Sequence, residues 1–499
     1  MTAINNSDRF QIVFSKLGVK AIYDPVSIDA LELLNNSDKS LTELSKEIGA
    51  DSSALYFQMD KLIDEGAIKK IKDDSYGKNT KYRNTSSTLI KSVDSESSFY
   101  PEMDITLESL IPESAEFDIK AVENAVIHYM FNTGLDFSPI LEGYGQVLAL
   151  IYSDEITGIR PEEIMYSMKS FMRKHNLCNM EVYSYNPLSI VIKIDAEEPK
   201  DIALHVSPCI GLIKESMKRL GLDYKVKNRE IFGLSKNMVR VDFTSTKLIE
   251  NYNISQPIEE DDNDIFALVS MKDGTLKVVD PDIQSRILFE LEKRPMCAID
   301  LINNTGMPRS TIISNLGKLK DMGIIEALSS NSAGYYALNC KILVKKDKRS
   351  SLSLDDIKKM RDLIIEDGDN LRENSLVYVM YALNRLGFNP EDMTFNLGAS
   401  MADEILKHGD VNVLDSVNRL YRKLPDVEIR VEKIVPFTFS IIAENGEYDR
   451  IKTKVKFYSG LISKLITGDE YNRCRKDQHI ENVDGKHIFT MTLSSPCLD

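Results

Sequence analysis

The chain of 499 residues is poor in cysteine, with six: Cys178, Cys209, Cys297, Cys340, Cys474 and Cys497. They are scattered, and no two form a C-x-x-C pair. That pattern excludes a disulfide framework and suits reduced thiols in a cytoplasmic compartment. No stretch approaches the ~18 consecutive apolar residues of a membrane helix, so no membrane partner is expected. The start, Met1-Thr2-Ala3-Ile4-Asn5-Asn6, lacks a basic region followed by an apolar block, so no signal peptide is expected. The chain also lacks a Walker loop, a G-x-G-x-x-G, a nucleophile elbow and an H-E-x-x-H. Carboxylates abound without a visible pairing. The expectation is a protein that is not an enzyme and carries no cofactor.

What is present is ample apolar content, 42%, and a length that suggests three or four domains. The net charge of -15 argues against nucleic acid until its distribution is read. Residues 1–92 hold 13 basic and 13 acidic side chains, and residues 278–349 hold 11 basic and 8 acidic. The negative charge therefore sits elsewhere. Acidic bodies around neutral or basic heads weaken non-specific phosphate binding and leave the heads as contact points.

The chain also repeats itself. Leu44, Gly49, Leu55, Leu62 and Gly66 recur as Leu301, Gly306, Ile312, Leu319 and Gly323, at one offset of 257. Phe137-x-Pro139 recurs as Phe388-x-Pro390, and Pro187 with Gly211 recurs as Pro436 with Gly460. In the first copy, Ile28, Leu31 and Leu34 mark a helix. Ser40-Leu41-Thr42-Glu43 is a capping box that opens a second. Ser52 to Asp64 forms a third, stopped by Gly66. Ala67 to Lys72 reads as a strand, Asp73 to Lys78 as a turn, and Lys81 begins the return strand. The second copy gives helices from Ile283 to Leu291 and around Leu301. Pro308 opens the third, and Gly323-Ile324-Ile325 leads into the hairpin. Three helices followed by a two-stranded hairpin form the winged helix-turn-helix pattern.

In both copies the run Leu-x4-Gly-x5-Leu/Ile-x6-Leu-x3-Gly, followed in the first by Ala67-Ile68, resembles winged-helix regulators of the ArsR and MarR type. The resemblance covers about 60 residues in each half. It implies double-stranded DNA as partner. Buried Leu55, Met59 and Leu62 would turn Ser52, Ser53, Tyr56 and Lys61 toward DNA. The first wing adds Lys70, Lys72, Lys78, Lys81 and Arg83. In the second copy Arg309, Ser310, Thr311, Ser314, Asn315 and Lys318 are the candidates. Hydroxyls and Asn315 suit base edges or phosphate, and Arg309 suits guanine. The second wing, from Ser329 to Gly334, is uncharged, but Lys341, Lys345, Lys346, Lys348 and Arg349 follow it. The competing reading is a protein-docking role. Asp60 is unfavourable beside phosphate, and Tyr56 with Phe57 could touch protein.

Between and after these modules, strands are expected at Glu181 to Tyr185, Leu188 to Ile192 and Val239 to Phe243. Helices are expected at Val122 to Phe131, Glu162 to Arg173 and Cys209 to Leu220. The second half offers Val427 to Val431, Phe437 to Ile442, Phe457 to Ile466 and Ile488 to Leu493. Met180 to Ile194, Ser207 to Gly211 and Val239 to Phe243 resemble the 4-vinyl-reductase-type sensor domain. That resemblance implies a small-molecule effector in an apolar pocket between the Cys209–Leu220 helix and the Tyr183 to Ile192 strands. The family's cysteine pair before the last strand is missing, since none lies between Cys209 and Cys297. His175-x-x-Cys178 and His205-x3-Cys209 have zinc-like types. Buried thiols and surface histidines are the preferred account, and no metal is expected. His479 and His487 near Cys474 are discounted likewise.

The expected fold class is therefore α+β and internally duplicated. Winged helix-turn-helix domains span 1–92 and 278–349, α+β sensor-like domains span 93–254 and 350–499, and an acidic linker spans 255–277. The expected function is a cytoplasmic DNA-binding transcription regulator, either a monomeric pseudo-dimer or a homodimer. The alternatives are a winged-helix docking scaffold and a ligand-binding module without DNA binding.

Overall fold

Residues 10–14, Phe-Gln-Ile-Val-Phe, are buried in succession in and just before the first strand of the computed structural model, the polar Gln11 included. The structure describes residues 9–72, 80–92, 135–193, 202–233, 237–246, 256–258, 264–280, 282–328, 334–347, 350, 353–366, 371, 374–389, 392, 394–396, 398–399, 402, 427–434, 436–444, 448–468, 475–483 and 486–494. Contacts divide these residues into two units. The first gathers described residues of Met1–Met103, Met130–Asp264 and Arg349–Gly387, and the second those of Ile265–Lys348 and Phe388–Asp499.

The first unit begins with a hairpin, β1 (Gln11–Ser15) and β2 (Gly18–Ile22). Helix α1 (Pro25–Leu34) follows, with Asp24 accepting from the Ser27 amide at 2.8 Å. After β3 (Lys39–Ser40) comes α2 (Leu41–Ile48), which starts in the expected capping box: the Glu43 carboxylate accepts from the Ser40 amide at 2.7 Å, and Ser40 Oγ accepts from the Glu43 amide at 3.3 Å. Gly49 ends it at φ +74°, a left-handed turn that glycine enters without a Cβ clash. Then come α3 (Ser52–Asp64), β4 (Ile68–Lys72) and β5 (Thr80–Asn84), with wing order β3-β5-β4. The chain next returns as β6 (Ser87–Ser92) to pair with β1, and β7 (Leu135–Asp136) extends that sheet. Leu31, Leu44, Leu55, Met59 and Leu62 share one core.

The α+β part of this unit runs α4 (Ser138–Ile151), α5 (Pro161–Lys174), β8 (Asn179–Tyr185), β9 (Leu188–Lys193), α6 (Ile202–Lys218), β10 (Asp223–Phe232) and β11 (Met238–Thr246). Its sheet order is β10-β11-β9-β8, antiparallel throughout. Helices α4 and α6 meet backbone to backbone. A Cβ on Gly145 would lie 1.9 Å from the Pro208 carbonyl, and one on Gly211 would lie 1.8 Å from the Glu142 carbonyl. Lys214 and Arg229 both reach the buried Glu142 carboxylate at 2.6 Å. Burial opposes its ionisation, but the two cations outweigh burial and hold the carboxyl below its usual range.

The second unit starts with β12 (Phe266–Met271) and β13 (Leu276–Val279), followed by α7 (Asp282–Lys293), β14 (Met296–Cys297), α8 (Ala298–Thr305), α9 (Arg309–Asp321), β15 (Ile325–Leu328), β16 (Tyr335–Leu338) and β17 (Cys340–Lys346). Strand order is β13-β12-β17 for the hairpin sheet and β14-β16-β15 for the wing. Two helices, α10 (Leu354–Glu366) and α11 (Asn374–Arg385), group with the first unit, where Tyr144 donates to the Leu371 carbonyl at 2.6 Å and its ring lies 5.1 Å from Tyr378. The chain then adds β18 (Val427–Ile434), β19 (Phe437–Glu444), α12 (Tyr448–Thr467), β20 (Arg475–Val483) and β21 (Lys486–Ser494) to the second unit, in sheet order β18-β19-β21-β20. A Cβ on Gly398 would lie 1.9 Å from the Phe457 carbonyl, and one on Gly460 would lie 1.9 Å from the Phe395 carbonyl.

These observations change several expectations. The span 255–277, expected as a linker, contains β12 and the start of β13. Residues 349–387 group with the first unit rather than with 388–499. Helix α6 starts at Ile202, before Cys209, and α12 starts at Tyr448, before Phe457. Pro308 caps α9 from outside rather than occupying its first turn. The expected helix at Val122 to Phe131 and the turn at Asp73 to Lys78 lie outside the described residues.

The glycine contacts generate a contrast. Gly211→Ala should destabilise the protein by about 3 kcal/mol, because the new Cβ meets backbone. Gly317→Ala, in α9 with nothing within 4 Å, should stabilise by roughly 0.5–1 kcal/mol. Urea denaturation of the two variants should give shifts of opposite sign.

Candidate nucleic-acid interface

Helix α9 buries one stripe, Ile312, Leu316 and Leu319, against Leu288, Leu291, Leu301, Ile325 and Leu338. The 3.6-residue period then exposes Arg309, Ser310, Ile313, Ser314, Gly317, Lys318 and Lys320. Thr311 lies half-buried at the edge of this face. The first turn holds no acidic residue, and Pro308 at the N-cap offers no side-chain oxygen to the first amides. The helix start is therefore electropositive, with the Arg309 guanidinium beside it.

Asn315 corrects the sequence expectation. It is 9% exposed, and its Nδ2 donates to the Thr311 carbonyl at 2.9 Å. Its Oδ1 accepts from the Gln284 side chain at 3.2 Å. It joins α9 to α7 and presents nothing outward. The basic run after the second wing is corrected too. Lys346 is buried, and Lys345 lies in a pocket of carboxylates, 3.3 Å from Glu292 and 2.9 Å from Asp392. Burial opposes the Lys345 charge, but Glu292 and Asp392 outweigh burial and raise its pKa. Lys341 is exposed, while Lys348 and Arg349 lie outside the described residues.

The corresponding face of α3 has different chemistry. Asp51 caps the helix, accepting from the Ser53 amide at 2.8 Å and from the Ser53 hydroxyl. Those bonds from Ser53 hold the carboxyl below its usual range, so a negative charge stands at the helix start. Ser52 shares a hydrogen bond of 3.2 Å with Ser45. Tyr56 and Phe57 are 49% and 69% exposed, an apolar surface with no counterpart in size on α9. Lys70 donates to Asp60 at 3.0 Å and lies 5.6 Å from the Tyr56 ring centroid. Lys61 is 3.7 Å from Glu65 and stacks over Tyr23. Arg83 forks onto Asp38 at 2.9 and 2.7 Å, so it braces the wing. Lys81 is half-buried near Glu43. Lys72 lies on β4 with its side chain outside the described set, and Lys78 lies outside it altogether.

The structure thus brings together Arg309, Ser310, Ser314 and Lys318 on one face. It gathers Tyr56, Asp60 and Lys70 on another, and turns Asn315 and Arg83 to internal work. Sequence reading missed Lys320 and Ile313, which the buried spacing 312, 316 and 319 places in view. It also expected surface histidines, but His175 is 7% exposed, with Nε2 3.5 Å from Glu155. His479 is exposed and 2.7 Å from Glu481. Among the described residues no group of three His, Cys, Asp or Glu side chains is placed to hold a metal. A groove of about 550 Å³ is lined by α5 and the residues before it, including Glu155, Tyr166, Phe171 and Lys174, with no lining residue from α6 or the sheet.

Residues 281–327 match the family model of the bacterial regulatory protein, arsR family. The match covers α7, α8, α9 and the start of β15. No curated protein and no solved structure matches the chain. Match and geometry agree that the second unit carries a winged helix-turn-helix regulator domain. Among the described residues no helix is long and apolar enough to cross a membrane.

Asn315→Ala should destabilise the second unit by about 1–3 kcal/mol, because it leaves the Gln284 amide unpaired in the interior. Thermal unfolding should move, and base preference in any DNA complex should not.

Proposed function

We propose that this protein is a DNA-binding transcription regulator and that α9 is its principal reading helix. One observation carries the reading. The exposed face of α9 carries Arg309 and Ser310 at an uncapped, electropositive helix start, with Ser314 and Lys318 farther along the same face. This is donor chemistry for phosphate and for guanine edges. The arsR-family match over the same helix supports it.

The finer organisation is part of the proposal. Two winged helices, derived by internal duplication, address two half-sites of one imperfect palindrome from a single chain. Three observations support duplication: α2 with α3 and α8 with α9 have equal lengths, β8-β9-β11-β10 and β18-β19-β21-β20 have the same order, and each α+β part has a reciprocal glycine contact between helices. The α+β parts take a small-molecule effector.

A second reading is favoured at α3 by the exposed Tyr56 and Phe57 and by the ionised Asp51 cap. There a protein contact replaces DNA, and only the second winged helix binds phosphate.

Two substitutions test the proposal on a bound genomic fragment. Lys318→Ala should lower the slope of log K against log salt by about one, uniformly across sequences. Arg309→Ala should cost about 1–3 kcal/mol at one base position and relax preference there. If neither changes affinity or slope, α9 does not read DNA. Neutralising Lys72, Lys78 and Lys81 together separates the two readings of the first wing. An unchanged slope assigns that wing to docking.

A further inference from the structure

We propose that Cys178 and Cys209 form a reversible disulfide, making the first α+β part a thiol modification site. Their Sγ atoms lie 2.9 Å apart, and both residues are free thiols. Cys178 sits in the turn between α5 and β8, and Cys209 sits on α6 between Pro208 and Gly211. The Cys178 thiol also donates to Met172 Sδ at 3.5 Å. Two sulfurs already in contact need only a small approach to reach bonding distance, ~2.05 Å.

Their exposures divide the work. Cys178 is half-buried and reachable, whereas Cys209 is 1% exposed. The hydrogen bond with Cys178, together with burial, pushes the Cys209 thiol well up, so Cys178 is the sulfur that attacks first. With a hydroperoxide as oxidant, the Cys178 thiolate takes the terminal oxygen and the O–O bond breaks. The leaving alkoxide or hydroxide collects the thiol proton, and Cys178 becomes a sulfenic acid. The Cys209 sulfur then attacks the sulfenic sulfur, an S–S bond forms, and water leaves with the Cys209 proton. Two electrons have passed from the two sulfurs to the peroxide. A dithiol reverses the step.

The product would tie the edge strand β8 to α6 beside the Gly145–Gly211 contact. This chemistry belongs to the first half only. At the repeat offset of 249, Tyr458 stands where Cys209 does, fully buried on α12. Disulfides that form in a reducing compartment are typically transient and redox-sensing.

The test uses the full chain, reduced and then given graded hydrogen peroxide. The thiol titre should fall from six to four, and non-reducing peptide mapping should find the Cys178 and Cys209 peptides joined and two hydrogens lighter. Dithiothreitol should restore six. Cys178→Ser should lose no thiol at the same dose. Cys209→Ala, a second variant should the first fail to fold, should stop at a Cys178 sulfenic acid that a dimedone probe traps. An unchanged titre in the wild type, a cross-link to another cysteine, or a Cys178 that goes straight to sulfinic acid would overturn the proposal.

Discussion

The second unit depends on the burial of one stripe of a thirteen-residue helix. Ile312, Leu316 and Leu319 are each 2% exposed or less, and together they fix the rotation of α9 about its own axis. Each such side chain contributes about 1.5–3 kcal/mol on burial. A rotation by one residue would bring Ile313 inside and send Ile312 out, so the helix has one stable setting. The outward face follows from that setting. The internal amide pair between Asn315 and Gln284 adds direction to it, since an amide matches only one partner geometry.

The same constraint acts on α3 through Leu55, Met59 and Leu62, yet what it exposes there differs. At the offset of 257, the negative cap Asp51 stands where α9 has Pro308, Ser52 where it has Arg309, and the exposed Tyr56 and Phe57 where it has Ile313 and Ser314. The two helices bury similar stripes and present different outward chemistry. Packing tolerates few residue types at each buried position, whereas an exposed position can take almost any. The acidic remainder of the chain sharpens the contrast, because it confines phosphate attraction to the few cationic surfaces left.

The helices of the two winged modules were legible in the sequence, whereas α4, α10 and α11 were not expected. The capping box at Ser40, the left-handed Gly49 and Gly306, and the apolar spacing of α3 and α9 gave both position and length. The hairpins before each winged helix were not legible. β1 and β12 bury successive residues, so they lack the alternation that marks a half-exposed strand. β10 and β20 were passed over because charged residues dominate them. They pair with β11 and β21, whose inward residues carry the core. On α9, periodicity gave the outward placement of Arg309, Ser310, Ser314 and Lys318. It misplaced Asn315, because a polar residue beside a buried stripe can turn inward when a buried Gln284 waits for it. Charge counting misplaced Lys345 and Arg83, because composition cannot show that Glu292, Asp392 and Asp38 fold against them, and it misplaced Lys346, which is buried.

The central claim is that DNA lies along α9. Photo-crosslinking of the intact chain to bound genomic DNA fragments, followed by peptide mapping, tests it most directly. The account predicts cross-links within residues 309–318, diminishing as salt is raised. Cross-links confined to Tyr56 and Phe57, or no retained DNA at low salt, would contradict it.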